Sequence, residues 1–549
     1  MISQVTTAMR GAGRSPGPSF SLREFGVPAL LVGLWSLVLG WLALGLREIR
    51  LSDVPAFIER AAGLGFPPSP ASLVDPFYPW GYPALLRLVV PLTGDYQRAV
   101  QLLSLLGGAA ALAAVWIIAR AGFDWPVALA ATTLLAMSYD FNRVTLESAT
   151  DLPALGALYL ALAALAVYTR KPVAHWAGAA GAALGLGYLV RYPTILALPV
   201  ALVFLLGLPR GSLRQRLRHG AVLLAAFLLA SALQTVPTAL AHGNPFWTRQ
   251  DINVYFFTFS HDDWGRAWAE ANAQANGVVD LLLRHPGAVA ENFVRNFVHL
   301  GSVFQLFPTT LLAWAGALVL LSQRRDWAVG ALLLALAGVY ALALSLTSVF
   351  PRVVLPILPA MTLFGGYALI RIPELALRSL RSLRSHGRLA PNVGSRLERV
   401  RAGVLVLAVL VLVPVEARHF RALLRVAAPS HLTAVFEALR AEGVTGTSEV
   451  LSLDDAYCDL AAPLKTPYPR PWLAPESFRP QSMAAVEQLM RQRGMRYLVW
   501  NDRAAARFPA LARPWPPQAG GAAAEAFTEV YRDPREPHAA VWRLRTTGD

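Results

Sequence analysis

The chain has 549 residues, of which 55% are hydrophobic and only 15% charged, and its mean hydropathy is +0.44. That balance excludes an ordinary soluble domain, in which about 25% of residues are charged. A net charge of +15 would point to nucleic acid in a soluble protein. Here the arginines fall between apolar runs, so orientation in a membrane accounts for them and no nucleic-acid partner is expected.

In chain order, apolar runs predict membrane helices at 27–46, 96–120, 125–139, 151–169, 175–190, 193–208, 218–241, 307–323, 327–347, 351–370 and 402–419. Each approaches the ~20 residues that cross a bilayer. The chain is therefore read as an α-helical polytopic membrane protein of about eleven spans. The first run is too long for a signal peptide, and no small-residue cleavage site follows it. The stretch 79–93, "PWGYPALLRLVVPLT", is too short and Pro-interrupted to span, and is read as re-entrant or interfacial.

Residues 1–26, with Arg10, Arg14 and Arg23, are placed in the cytoplasm. Alternate connections then carry Arg120; Arg170 and Lys171; Arg210, Arg214, Arg216 and Arg218; Arg324 and Arg325; and the arginines of 371–401, as the positive-inside rule requires. Residues 27–420 form the membrane domain, with outer loops at 47–95 and 242–306. An odd number of spans puts 421–549 outside. In that tail "HLTAVFEALRAEG" and "SMAAVEQLMRQRG" read as helices, "EVLSL" and "MRYLVWND" as strands, and "FTEVYRD" with "AAVWRLR" as a closing hairpin. The alternation predicts a small extracytoplasmic α/β domain. The loop 242–306 has the spacing of amphipathic helices on a membrane surface. Only Lys171 and Lys465 are lysines, and the bias to Arg, Ala, Gly and Pro suggests a GC-rich bacterial genome. Cys458 is the single cysteine, so no intrachain disulfide forms.

Candidate chemistry lies in the outer connections. "RLSDVPAFIERAAG" leaves the first span, with Ser52 as a helix cap and Asp53 in the first turn, where the helix dipole favours an anion. Val54, Phe57, Ile58 and Ala61 give that helix an apolar face suited to lie on the bilayer. Asp53 is thus either a capping-turn acid or a general base at the water–lipid boundary. Asp75 in "DPFYPWGYPALL" is a second carboxylate of the same loop, and its aromatics, Tyr82 among them, suit an interfacial belt or a substrate contact. The connection around 138–151 holds Asp140, Arg143, Glu147 and Asp151, read as a solvated loop with an Arg143 ion pair or as a polar site facing Asp53 that holds a divalent cation. Arg191 in "LVRYP" and Arg352 in "FPRVVLP" stand at outer helix ends, against the positive-inside preference. They either snorkel to lipid headgroups or grip a phosphate with their planar donor forks. "SHDDW", with His261, Asp262 and Asp263, lacks a recognised metal spacing. No Gly-rich nucleotide loop is present, so a transferred group would come from the membrane.

"SDVPAFIERA", "DPFYPWGYPALL", "ATDLPALGALYLALAALAVY", "GLGYLVRYP" and "FPRVVLPILPA" follow in that order, and together they resemble the GT-C superfamily of membrane glycosyltransferases. They look most like the bacterial relatives of the aminoarabinose transferase and of the protein O-mannosyltransferases. The resemblance covers roughly the first 370 residues. It implies an isoprenoid-phosphate sugar donor, a carboxylate base at Asp53, and donor-phosphate contacts at Arg191 and Arg352. It further implies inverting transfer to a glycan, lipid or protein hydroxyl at the outer face of the bacterial cytoplasmic membrane. Many relatives have two adjacent acids in the first loop. Here Ser52 precedes Asp53, which leaves metal use open and makes Asp151 the candidate second carboxylate. The competing reading is a polyprenyl-lipid transporter or flippase, against which stand the missing inverted repeat and the long tail. A scaffold without enzymatic activity is a third.

Overall fold

The computed structural model describes residues 22–46, 54–65, 77–147, 150–208, 211–259, 264–274, 277–305, 310–323, 327–349, 352–385, most of 415–425, 431–444, 449–453, 472–473, 482–501, 526–533 and 539–545, with a few isolated positions. Among these residues six helices are long and apolar enough to cross a membrane. They are α1 (Leu22–Gly45), α4 (Tyr96–Gly122), α7 (Asp151–Arg170), α10 (Leu213–His242), α16 (Trp327–Ser345) and α17 (Leu358–Ser385) with the 3₁₀ turn that leads into it. Between them lie α2 (Val54–Gly63), α3 (Gly81–Thr93), α5 (Trp125–Met137), α6 (Tyr139–Glu147), α8 (Ala174–Val190) and α9 (Ala197–Gly207). The connection 242–306 supplies α11 (Asp251–Phe259), α12 (Trp264–Gln274), α13 (Val278–Arg284) and α14 (Pro286–Gln305), and α15 (Thr310–Ser322) follows. A helix thus stands at each of the first ten predicted spans. The eleventh, 402–419, lies mostly outside the described residues.

Caps and turns set these boundaries. The Asp95 and Asp124 side chains accept from the Arg98 and Val127 amides at the starts of α4 and α5, and Ser212 does the same for α10. Gly94 and Gly243 close α3 and α10 in the left-handed conformation. The stretch expected to be re-entrant or interfacial is helix α3, which buries Tyr82, Leu86 and Val90 and leaves Leu88 and Leu92 exposed. The tenth span begins later than predicted, after the 3₁₀ turn Leu355–Ile357, and its helix continues well past residue 370.

At the centre of the bundle α7 packs between α4 and α8, and α8 packs on α10. Gly107 of α4 makes the first contact possible. A Cβ there would collide with the Leu152 carbonyl carbon and the Pro153 nitrogen at the start of α7. The glycine therefore brings the backbone beside Asp151 against α4, the small-residue contact that membrane helices use.

The tail holds α18 (His431–Ala441), β1 (Val450–Ser452), β2 (Trp472–Leu473), α19 (Met483–Arg493), β3 (Tyr497–Asn501), β4 (Phe527–Asp533) and β5 (Ala539–Leu544). The sheet order is β2-β1-β3-β5-β4, with β1 parallel to both β2 and β3, and β5 antiparallel to β3 and β4. Alternate residues face opposite sides of the sheet. Tyr497, Val499 and Val541 cluster with Val435, Phe436 and Leu439 of α18, while Leu498, Trp500 and Trp542 cluster with Val486 and Met490 of α19. Each helix read from the sequence therefore covers one face. The two-residue β2, in the Pro-rich stretch "PYPRPWLAP", was not legible as a strand.

Candidate active site

Three elements converge on Asp151. The carboxylate stands in the first turn of α7, where the helix end favours negative charge. Arg191 follows the last residue of α8 and has an extended backbone. Pro193, two residues on, turns the chain into the 3₁₀ segment Tyr192–Leu196. Arg352 precedes the second 3₁₀ turn, which contains Pro356. Asp151 Oδ1 pairs with Arg191 Nη1, and Asp151 Oδ2 accepts from Arg352 Nε at 2.8 Å. The carboxylate side chain is 9% exposed, and those of Arg191 and Arg352 are 33% and 19% exposed. The cluster is thus a nearly closed anion held between two partly open cations.

Two buried tyrosines fix the turns that carry these arginines. Tyr340 of α16 donates to the Pro193 carbonyl at 3.1 Å. Tyr159 of α7 donates to the Pro356 carbonyl at 2.8 Å and accepts from the Ala360 amide at 3.1 Å. A proline carbonyl in a tight turn is a backbone acceptor that needs a partner when buried. The tyrosines supply it, tying the Arg191 turn to α16 and the Arg352 turn to α7.

Asp151 was considered as a second carboxylate for Asp53 or for a cation. In the structure both of its oxygens meet guanidinium groups. A divalent cation there would face two positive charges. Among the described residues no group of three His, Cys, Asp or Glu side chains is placed to hold a metal. Asp53, Asp75, His261, Asp262 and Asp263 lie outside the described residues.

The flanks of the 47–95 connection are described. Val54, Phe57, Ile58 and Ala61 of α2 are buried. The apolar face expected to lie on the bilayer instead packs on protein, in one cluster with Tyr82, Leu86, Ala154 of α7 and Val190 of α8. The reason is α3: its own buried stripe offers α2 a partner. Tyr82 is wholly buried and meets Phe57 edge-on at 5.3 Å, so its ring supports the loop rather than facing an opening. Gly81 lies so close to the backbone of Leu189 that a Cβ would collide with the Leu189 carbonyl, which docks the start of α3 two residues before Arg191.

In the 138–151 connection, Arg143 Nε donates to Glu147 Oε1 at 2.8 Å, an exposed i,i+4 pair. Asp140 is buried, and burial raises its carboxyl above the usual range against the opposing pull of Arg143 and His419.

Other polar anchors were not read from the sequence. Arg249 grips the wholly buried Asp251 with two nitrogens, at 3.1 and 2.9 Å, and also meets Asn272. Asn296 of α14 donates to the carbonyls of Ser345 and Thr347 at 3.1 and 2.8 Å. A polar recess of about 240 Å³ opens there among Phe257, Asn292, Arg295, Thr347 and Val349, three residues before Arg352. The signal for it was an Asn-x-x-x-Asn repeat at helical spacing beside Arg295.

Residues 77–234, under a third of the chain, match the family described as dolichyl-phosphate-mannose-protein mannosyltransferase. That segment holds Asp151 and Arg191. The ArnT structure from Cupriavidus metallidurans bound to undecaprenyl phosphate superimposes with a TM-score of 0.51 at 16% identity, over 95% of this chain and 98% of that one. The oligosaccharyltransferase AglB from Archaeoglobus fulgidus, in complex with an inhibitory peptide and a dolichol-phosphate, gives 0.51 at 13% identity, over 96% of this chain and 75% of that one. Its apo form gives 0.52 at 12% identity, over 86% and 69%. The fold is that of the GT-C membrane glycosyltransferases. Within that GT-C fold the chain is a multi-pass membrane protein, and the Asp151 cluster joins the segment matched by the family to the late Arg352 turn. No curated protein sequence matches the chain.

Proposed function

We propose that this chain transfers a sugar from a polyprenyl-phosphate donor to an acceptor hydroxyl at the outer face of a bacterial cytoplasmic membrane. Eleven spans, a cytoplasmic N-terminus and an extracytoplasmic tail domain complete this reading. The observation that carries it is the convergence of Arg191 and Arg352 on Asp151 at one end of the bundle, in a fold whose solved relatives include ArnT bound to undecaprenyl phosphate.

Asp53 acts as general base. It takes the proton of the acceptor hydroxyl as that oxygen attacks the anomeric carbon. The bond from that carbon to the phosphate oxygen breaks on the opposite face, so the configuration inverts. The leaving phosphate gains negative charge, and Arg191 and Arg352 are already oriented to receive it. Preorganised charge of this kind is often the largest single contribution to rate. Asp151 positions both guanidiniums and takes no proton. Two features support a place for Asp53 beside this cluster. Val54, its chain neighbour, shares a packed group with Ala154 and Val190, and α3 docks on α8 just before Arg191. The recess beside Arg295 supports a substrate-facing role for 242–306. If a divalent cation takes part, Asp53 and Asp75 are the first carboxylates to test as its ligands.

The test uses purified full-length protein in liposomes, radiolabelled polyprenyl-phosphate sugars and a membrane extract as acceptor. Asp53→Asn is expected to lose at least ~10²-fold in transfer while still binding donor. Equal transfer by wild type and variant would move the base to Asp75. Absence of both transfer and donor hydrolysis in wild type, across a panel of donors, would favour lipid transport instead.

A further inference from the structure

The other end of the bundle contains a groove that the transfer reaction does not use. Its volume is about 1220 Å³, above the ~300–1,000 Å³ of a small-molecule site. It runs between α9, α16 and α17. The rim lies at Trp327, Arg170 and Arg378, and the deep end at Val339, Pro199 and Tyr367. Asp151 and Arg170 are the first and last residues of α7, so rim and candidate active site are about 28 Å apart along that helix. The groove exists because α16 presents Ala328, Ala331 and Ala335 where larger side chains would fill it.

Its chemistry changes along its length. The walls are mainly apolar, aliphatic with a few aromatics, and Val203 at 70% and Trp327 at 53% exposure leave it open sideways. Protein interiors do not leave such space empty, and water gains little from apolar walls within a bilayer. A hydrocarbon chain suits it. From Trp327 to Val339 the groove extends about 18 Å along α16, close to the ~15 Å of one leaflet's hydrocarbon. A single leaflet's acyl chains match that depth.

Among the described residues the rim is polar and net positive, with Arg170, Arg371 and Arg378 against Asp124 and Glu374. Arg371 is braced by Glu374 at 2.6 Å and by Asp124 at 2.5 Å. Arg170 Nη2 caps the Phe123 carbonyl at 3.3 Å. Arg378 is exposed. A cationic rim over an apolar groove of leaflet depth is complementary to an anionic headgroup above acyl chains. We infer that this groove is a binding site for a phosphate-bearing diacyl lipid of the leaflet at the Arg170 end, separate from the donor site around Arg191 and Arg352.

The experiment is native mass spectrometry of delipidated full-length protein titrated with dioleoylphosphatidylglycerol. Dioleoylglycerol, which keeps the chains and lacks the phosphate, and inorganic phosphate are run in parallel. Phosphatidylglycerol is expected to bind at least tenfold more tightly than dioleoylglycerol, and phosphate alone not to compete. Ala335→Trp, which fills the groove, is expected to weaken binding at least tenfold. Arg378→Gln, an exposed change that does not touch the core, is expected to weaken it several-fold and to leave dioleoylglycerol unaffected. Unchanged phosphatidylglycerol binding in both variants would place the lipid elsewhere and overturn the assignment. Equal affinity for the two lipids would remove the headgroup half of it. A disulfide between Val203→Cys and Leu407→Cys, made in a Cys458→Ser background, would show that the chain's own apolar segment fills the groove, and that result too would overturn it.

Discussion

The two ends of α7 use the same side chains in opposite ways. At its start, Asp151 is nearly closed from solvent and holds two arginines that come from elements 40 and about 200 residues away in sequence. At its end, Arg170 caps backbone carbonyls of the neighbouring 121–123 turn, and the nearby Arg371–Asp124–Glu374 group is partly exposed on an open rim. Removing one partner of a buried charge group leaves an uncompensated charge, whereas an exposed pair is screened and replaced by water. The first end is therefore a closed charge cluster and the second an open one. The polarity of the residues does not distinguish them. Burial and the number of elements that converge do.

The strongest way to break this comparison is Asp151→Asn. The carboxamide keeps the shape but removes the negative charge that Arg191 and Arg352 share. A loss of up to about 3–5 kcal/mol is expected, discounted for the partial exposure of both arginines. It is read as a fall in unfolding midpoint in detergent, together with lost transfer. If Asp151 serves only to position, Asp151→Glu should recover much of the stability. A smaller structural effect with a large kinetic one is expected for Arg352→Lys. The ammonium keeps the charge but not the Nε donor that holds Asp151, so transfer should fall about 10²-fold, in kcat more than in KM. A change confined to KM would instead mark Arg352 as a ground-state contact.

These residues were legible to different depths. Arg191 and Arg352 stood out because arginines at the outer ends of apolar runs oppose the positive-inside pattern, and the structure brings them together. Asp151 was legible as polar but not in its role, because pairing across 201 residues is a tertiary fact that no local period encodes. The helices were readable from apolar runs, and the tail strands from alternation. The burial of α2 on α3 was not, since an amphipathic face reads alike whether it meets lipid or protein. Tyr159 and Tyr340 were invisible for a related reason: a tyrosine inside an apolar run reads as core until the carbonyl it binds is seen. The groove was equally hidden, because alanines in a membrane helix signal close packing as readily as space.

At the other end of α7, Arg371→Gln sharpens the contrast from the weak side. It removes both the Asp124 and the Glu374 contacts. Yet each partner can be rehydrated, so the expected cost is about 1 kcal/mol or less. A loss as large as that of Asp151→Asn would mean the rim is as closed as the candidate active site, and the comparison would fail.

The smallest effect, and the one with a distinctive pH signature, belongs to Asp140. Burial raises its carboxyl above 3.8, so the folded chain holds the proton more tightly than the unfolded chain. Its contribution to stability is fully present below pH 3.8 and is lost as pH rises through the raised value. Asp140→Asn removes that loss. The variant should be slightly more stable than wild type near neutral pH, by no more than about 2 °C in unfolding midpoint, and the gap should close as pH falls toward 3.8. Arg143 and His419 pull the other way. If the variant were instead less stable at neutral pH, attraction to those cations would outweigh burial, and Asp140 would belong with Asp151 among the acids that hold this end of the bundle together.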